Sequence, residues 1–463
     1  MFTDRQGNAL QGANAQSAEL YGQALEAFNV YRDDPVALID QAIAHSPDFA
    51  MARIFKAYVL GLATEPQANE EARAIVNALT ARRVTEREAS LLSALRLLLE
   101  GHWTKAAIVL DWHNMEYPHD LLAIQAGHLM DFYRANAQNL RDRPGRVLSR
   151  WTEGTPGYSV LLGMHAFGLE ETGYYARAEE TGRRAVDLEP LDCWAHHAVA
   201  HVMEMQGRAE DGVGWMITRY PHWSGDNNFF KVHNVWHQCL FYMDIGQANK
   251  ALALYDRNIR GTRSTVALDL VDASALLWRL QLAGADVGGR WEELATCWDI
   301  HMEGSNYPFN DWHAAMAYAG AGRYKDLARV IASLQKLAID GSEVALWARE
   351  YGIPLVKGFT SFEQGRYREA AEFLYPCMFI SNGFGGSHAQ RDIISVTLTE
   401  AALRGSLGSV AEALASGRVA NRSRGVINNL FLKRAGSLSR SDLQGAFDEV
   451  DESSRPSWQV APA

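Results

Sequence analysis

The chain has 463 residues, of which 48% are hydrophobic and 21% are charged, and its mean hydropathy is −0.20, as in an ordinary globular protein. The formal net charge of −11 argues against nucleic-acid and anionic-membrane partners, because both favour a basic protein face. Four cysteines without a CxxC pair, no signal-like N-terminus and no apolar run of about 18 residues together predict a cytoplasmic protein with reduced thiols and no membrane contact.

Helical periodicity extends along the chain, with Ala and Leu recurring at i, i+3 and i+4, whereas the alternation typical of strands is scarce. The segment 35–47 is typical of the second helix of a helix pair. Thr85 and Glu88 form a capping-box pattern at the start of the next predicted helix. The segment 101–118, which begins with Gly and ends with Pro, predicts a further helix.

A repeat is clearest in the middle of the chain. Gly173 and Gly207 lie 34 residues apart, which is the tetratricopeptide period, and each is expected to form the turn between two helices. Small residues such as Ala178 and Gly212 permit close helix packing, and Pro190 ends a second helix. Weaker copies begin at Gly246, Gly322 and Gly365.

These patterns predict an all-α fold: a superhelical array of antiparallel helix pairs, a TPR-like α-solenoid, either open or closed around a central pocket. We expect an N-terminal helical region with degenerate repeats over 1–155 and a TPR-like core over 156–435. The last segment, 436–463, is rich in Ser, Arg and Asp and is expected to be a loosely ordered tail.

Two histidine doublets are the strongest chemical signal. His197 and His201 are spaced i,i+4, as are His233 and His237, so each pair lies on one helix face. Neutral imidazoles in this arrangement can share a divalent transition metal such as Zn, Fe or Mn, with a carboxylate completing the set. The first doublet has Ala198 where a zinc protease motif has its glutamate, which excludes that protease class.

A metal-free site is the alternative hypothesis, and the sequence slightly favours it over a metal site. In this version His197, His201, His237 and Asp272 act as general acids and bases, because imidazole titrates near neutral pH. The inner faces of successive first helices are expected to add substrate-binding residues, namely Glu204, Trp236, Arg279, His313 and Arg391.

The segment from Phe384 to Asp392 contains Gly-Gly-Ser before a predicted helix. Backbone N–H groups at such a helix start can bind an anion, with Arg391 nearby. The favoured interpretation is simpler: Ser387 caps the helix, and Arg391 and Asp392 belong to a buried network.

Several stretches together resemble the tetratricopeptide repeat protein 38 family: 197–205, 233–237, 271–280, 309–313, 352–355 and 385–392. The resemblance covers about residues 155–400. It implies an α-helical repeat fold and a recurring polar set, consisting of His197, His201, Glu204, His233, His237, Asp272, Arg279, Asp311, His313, Gln390 and Arg391. It transfers no activity, since a fold hosts many functions.

Three functions remain open. The leading hypothesis is an inner polar pocket that binds a small polar or anionic molecule and acts on it by hydrolysis, elimination or isomerisation, because no nicotinamide, flavin or pyridoxal signature is present. The second is a non-catalytic scaffold that binds a peptide or protein partner in its concave groove. The third is a buried network that only fixes the packing of the repeats. Self-association is compatible with each of them.

Overall fold

The computed structural model describes residues 2–302, 306–380 and 383–445. Two short strands, β1 (Phe2–Thr3) and β2 (Ala9–Leu10), pair antiparallel at the start of the chain. The α-helices are α1 (Ala15–Val30), α2 (Pro35–His45), α3 (Ala50–Leu62), α4 (Pro66–Thr80), α5 (Glu86–Leu99), α6 (Trp103–Glu116), α7 (Leu121–Tyr133), α8 (Ala137–Leu148), α9 (Tyr158–Glu171), α10 (Tyr175–Leu188), α11 (Cys193–Met205), α12 (Ala209–Trp223), α13 (Lys231–Asp244), α14 (Ala248–Leu254), α15 (Ala267–Leu282), α16 (Arg290–Trp298), α17 (Pro308–Gly320), α18 (Tyr324–Leu337), α19 (Glu343–Trp347), α20 (Ile353–Glu363), α21 (Tyr367–Ile380), α22 (His388–Arg404), α23 (Gly408–Asn421) and α24 (Val426–Gly445).

Consecutive helices pack in pairs, which confirms the predicted α-solenoid. Three-residue turns join α9 to α10, α11 to α12 and α13 to α14, and a glycine with positive φ occupies the middle of each turn. At Gly173 and Gly207, φ is +83° and +66°, a region that an L side chain rarely adopts. The capping boxes at Thr85 and Ser387 are also formed as predicted.

The first helix of each central pair is buried on nearly all sides, whereas the second helix is buried along one stripe. Every one of the 13 residues of α7 is buried, and α11, α13, α15 and α17 are almost as completely enclosed. In α10, by contrast, the buried positions are Ala178, Gly182, Ala185 and Val186, which form a single face. The inner helices therefore lie inside the protein and do not line an open groove.

Contacts between distant parts of the chain enclose the inner helices. The Phe229 N–H donates to the Tyr31 carbonyl at 3.0 Å, and the Tyr307 hydroxyl donates to the Tyr133 carbonyl at 2.9 Å. Glu343 accepts hydrogen bonds from the backbone and the hydroxyl of Thr104. Successive turns of the superhelix thus contact one another, which is the closed form of the predicted solenoid.

One hydrophobic cluster extends from Leu10 to Ala401 and passes residue 155 without a break, while a smaller cluster joins α22, α23 and α24. The segment 436–445, which was expected to belong to the tail, is the end of α24. The rest of that segment, 446–463, lies outside the described residues. Within the described part of the chain, no helix has the length and apolar character needed to cross a membrane.

The close approach of α8 and α9 gives a stability prediction. An added Cβ at Gly168 would lie 2.2 Å from the Arg141 nitrogen and 2.3 Å from the Leu140 carbonyl carbon, and backbone atoms cannot move aside cheaply. Gly168→Ala is expected to lower the free energy of unfolding in urea by about 3 kcal/mol. The matched control is Gly214→Ala in α12, where no atom lies within 4 Å of the added Cβ and where the helix should gain up to about 1 kcal/mol. Equal stabilities of the two variants would contradict the proposed contact.

Candidate metal centre

The two histidine doublets lie on neighbouring inner helices. Asp192 caps α11 by accepting a hydrogen bond from the Ala195 N–H at 3.0 Å, and the helix then places His197 and His201 one turn apart. In α13, His233 and His237 are spaced in the same way. The exposed fraction of His197, His201 and His237 is 0%, and that of His233 is 8%.

The four imidazoles form one group. One possible ligand atom from each lies within 4.8 Å of the others, and ring centroids lie 4.3–4.8 Å apart in five of the six pairs. His233 Nε2 is 3.1 Å from His197 Nε2 and 3.2 Å from His237 Nε2. Two nitrogens bound to one tetrahedral ion at about 2.0–2.1 Å would lie about 3.3 Å apart. The spacing of the two doublets therefore suits a shared ion.

Buried carboxylates fix the orientation of two of these rings. His233 Nδ1 donates to Asp272 Oδ2 at 2.8 Å, and His237 Nδ1 donates to Glu204 Oε2 at 3.1 Å. Asp272 also accepts from Gln390 Nε2 at 3.4 Å. In many metal proteins a carboxylate holds the far nitrogen of a ligating histidine in this way, which leaves a lone pair on the nitrogen that faces the ion.

These hydrogen bonds have a consequence for the centre of the group. When both carboxylates are ionised and both Nδ1 atoms carry the proton, the Nε2 atoms of neutral His233 and His237 each present a lone pair. Two lone pairs facing each other at 3.2 Å repel, and either a proton or a metal ion between them relieves that repulsion. A hydrogen bond from His197 accounts for only one of the two contacts made by His233.

Burial keeps three of the four imidazoles neutral. It lowers the pKa of His197 and His237 well below the ordinary 6.5, with neighbouring imidazoles adding to the effect, and it lowers the pKa of His201 to about 4. Burial also raises the pKa of Glu204 to about 7, and Arg422, whose Nη1 lies 3.4 Å from Glu204 Oε1, opposes that rise. Neutral imidazole is the form that binds metals, and it is a poor general acid at pH 7.

Aromatic rings enclose the four histidines. Trp236 stacks on His233 with ring centroids 5.4 Å apart, and Phe167 stacks on His197 at 5.2 Å. Phe230 contacts both His197 and His233. Apart from the carboxylates, the surroundings of the four rings are therefore apolar. Such surroundings strengthen electrostatic interactions with any bound charge.

The remaining predicted residues lie around the group and bond mainly to protein. Arg279 donates to the Ala389 carbonyl at 2.8 Å, and its guanidinium lies 5.3 Å from the Trp236 ring centre. His313 Nδ1 donates to the Phe309 carbonyl at 2.8 Å, and His313 is not part of the group of four. Substrate-binding roles for Arg279 and His313 stay predictions.

The Gly-Gly-Ser segment forms the predicted helix cap and a buried ionic network. Arg391 donates to the Gly385 and Gly386 carbonyls, and it lies near Glu171. Asp392 pairs with Arg418 at 2.9 Å.

Sequence reasoning missed three buried residues near the centre. Glu170 and Glu171 end the inner helix α9, and Glu170 Oε2 lies 3.4 Å from His201 Nδ1. His128 in α7 packs edge-on against Phe167 and Trp194. The sequence signal that could have indicated them is the acidic pair Glu170 and Glu171, which follows an apolar stretch of a first helix and precedes the turn at Gly173.

No protein-family model matches the chain. Among solved structures, it is similar to the crystal structure of the APC/C hetero-tetramer Cut9-Hcn1, at 14% identity over 90% of this chain and 76% of that chain, with a TM-score of 0.42. It is also similar to the human IFIT1 dimer with m7Gppp-AAAA, at 14% identity over 93% and 96% of the two chains, with a TM-score of 0.41. The fold described above rests on the helices of this chain and not on these similarities.

His128 gives a pH prediction. Burial lowers its pKa from 6.5 to about 3, so the unfolded chain binds a proton in the interval between these values and the folded chain does not. The contribution of neutral His128 to the free energy of unfolding is complete above pH 6.5. It is lost as the pH falls from 6.5 towards 3. His128→Leu should therefore reduce the fall in unfolding free energy by up to about 1.4 kcal/mol per pH unit below pH 6.

Denaturant titrations of metal-free wild type and His128→Leu between pH 8 and pH 4.5 measure this difference. Parallel pH profiles would contradict it, and a constant offset above pH 7 is the internal control.

Proposed function

We propose that this chain is a helical-repeat metalloprotein in which His197, His201, His233 and His237 bind one divalent transition-metal ion. One observation carries the proposal: the Nε2 atoms of His233 and His237 face each other at 3.2 Å while their Nδ1 atoms are bonded to buried carboxylates. The neutral state of His197, His201 and His237 favours this function over metal-free acid–base catalysis.

The donor set indicates the kind of metal. Imidazole ligands suit Zn, Fe, Cu and Ni, whereas Mg, Ca and Mn prefer oxygen ligands. Of the three ions that the sequence suggests, Zn, Fe and Mn, the first two fit four imidazoles better than Mn does. The resemblance to the tetratricopeptide repeat protein 38 family is part of the proposal, and it is supported by the fact that its stretches around His197, His233, Asp272 and Gln390 meet at one centre.

The proposed activity is metal-assisted chemistry on a small polar or anionic molecule, of the hydrolytic, elimination or isomerisation class. A divalent ion supplies Lewis-acid polarisation of a substrate oxygen, which at a site with four imidazole ligands requires the substrate to enter as a fifth ligand. The chain itself contributes orientation and exclusion of water: Asp272 and Glu204 hold the rings of His233 and His237, and Trp236 and Phe230 cover them.

Cobalt titration tests the metal proposal. Co(II) added to metal-free protein should produce the visible absorption of a four-coordinate nitrogen site, and His237→Ala should abolish this band. Glu204→Gln keeps the shape of the side chain but weakens the orienting hydrogen bond, and it should lower metal affinity by about 10–100-fold.

His222→Ala is the matched control, because His222 is a helical histidine outside the group of four. It should bind cobalt as the wild type does. A folded wild-type protein that shows no four-coordinate band at millimolar cobalt would overturn the metal proposal. An unchanged band in His237→Ala would overturn the assignment of the ligands.

A scaffold that binds a protein partner is the second candidate function. Ile108, Trp112 and Met115 are spaced i, i+4 and i+7 on α6, and their exposed fractions are 52%, 70% and 48%. Such an apolar stripe fits an apolar helix of a partner protein. A partner would then bind on this outer face, since the inner helices are enclosed.

The stripe can be tested by substitution. Trp112→Ser should release any partner that purifies stoichiometrically with the wild type, because a large exposed aromatic carries much of the energy of an apolar interface. Quantitative mass spectrometry of proteins that copurify with the tagged chain measures how much partner is lost. Sedimentation of the purified chain detects self-association. Ile339→Ser is the control, since Ile339 is 86% exposed and lies outside this stripe. Equal retention by wild type, control and Trp112→Ser would exclude α6 as the interface.

A further inference from the structure

A second group of possible metal ligands adjoins the four histidines. Glu170 and Glu171 of α9 and His201 of α11 each offer one ligand atom, and these atoms lie within 4.8 Å of one another. His201 is thus common to both groups. A neutral imidazole carries one lone pair and one N–H, so His201 can bind an ion on each side only as a bridging imidazolate, with its N–H proton released to solvent when the second ion binds.

The carboxylate of Glu170 is the least compensated charge in this region. Its side chain is 0% exposed, and neither of its oxygens has a hydrogen-bond partner among the described residues. Burying a carboxylate without partners is expensive, and the charge normally either acquires a proton or meets a cation. Burial, with Glu171 adding to it, raises the pKa of Glu170 well above its ordinary value.

The contact between Glu170 and His201 differs from the two carboxylate–histidine hydrogen bonds described above. Glu170 Oε2 lies 3.4 Å from His201 Nδ1, and the pair does not have hydrogen-bond geometry. His233 and His237 approach their carboxylates at 2.8 and 3.1 Å with good geometry. A separation of about 3.4 Å is what two ligands of one tetrahedral ion have when their bonds are about 2.0–2.2 Å long.

Glu171 already has partners, and they leave the charge of the pair unbalanced. Its Oε1 accepts from the His388 N–H at 2.9 Å, and its Oε2 lies 3.5 Å from Arg391 Nη2. One guanidinium offsets one of the two carboxylates. Ionised Glu170 would leave one buried negative charge among Glu170, Glu171 and Arg391, and a divalent ion bound there in place of a proton would compensate for it.

Glu171 also reaches a cavity. The cavity has a volume of about 680 Å³, and Glu171 and His388 border it together with Arg134, Asn136 and Tyr175. His388 has 38% of its side chain exposed, whereas the Glu171 side chain is 1% exposed. The acidic pair therefore lies between the cavity and His201.

We propose that Glu170, Glu171 and His201 form a second divalent-metal subsite, so that the centre holds two ions that share His201. This inference rests on the proposed function, because the first ion is the one bound by the four histidines. The second subsite offers two carboxylates and one imidazole, a mixed donor set suited to Zn, Mn or Fe. Three protein ligands leave a coordination position open, which is the pattern of catalytic rather than structural sites, and Glu171 places one side of the subsite next to the cavity.

Metal stoichiometry tests this inference on the full chain. Equilibrium dialysis of metal-free wild type against Co(II) should give two ions per chain. Glu170→Gln keeps the size of the side chain and removes its charge, and it should bind one ion while the four-coordinate nitrogen band is unchanged. Glu171→Gln should act in the same way, and His237→Ala should abolish the nitrogen band.

Glu363→Gln is the matched control, because Glu363 is a half-buried carboxylate that pairs with Gln281. It should bind two ions, and thermal melts of all variants check folding. One ion per chain in the wild type, or two in both folded glutamate variants, would overturn the second subsite but leave the four-histidine proposal intact. No ion in the wild type would overturn both.

Discussion

The pairing of buried imidazoles with buried carboxylates is the constraint on which the rest of the architecture depends. Four imidazoles on α11 and α13 are almost solvent-free, and burial holds three of them neutral. The rings of His233 and His237 need acceptors for their Nδ1 protons, which Asp272 and Glu204 supply. Those carboxylates need partners of their own, because a buried charge without compensation is unstable. The partners come from α22 and from the residue that follows α23, so the C-terminal helices must pack over the centre.

This dependence explains why the solenoid is closed. In an open repeat array the first helices would expose their inner faces to solvent and to ligands. Here those faces are buried, and α22 helps to enclose them by placing Gln390 and Arg391 beside Asp272 and Glu171. Closure leaves the cavity beside Glu171 as an approach to the centre. The exposed apolar residues of α6 lie on the outer surface.

Much of this organisation could be predicted from the sequence. The glycine turns at Gly173 and Gly207 follow from φ values that other residues avoid, and the i,i+4 histidine spacing determines which rings share a face. In two turns the middle residue is not glycine: Ala135 and Ser406 adopt positive φ there, and context overrides the local preference. The acidic pair in α9 was missed for another reason: a Glu-Glu dipeptide is usually solvated, and only the three-dimensional packing shows that Glu170 is buried.

Under the proposed function, metal binding and folding would be coupled by the same contacts. The ligands come from α9, α11 and α13, and the residues that hold them come from α15 and from the region of α22 and α23, so an ion at the centre stabilises an arrangement that involves more than half of the chain. An ion present at about 1,000 times its Kd would add about 4 kcal/mol to the folded state. Without the ion, facing lone pairs and an unpaired carboxylate remain in the core, and both destabilise the same closed array. The proposed centre would therefore also link distant parts of the superhelix, since opening the coil would separate the proposed ligands from the groups that orient them.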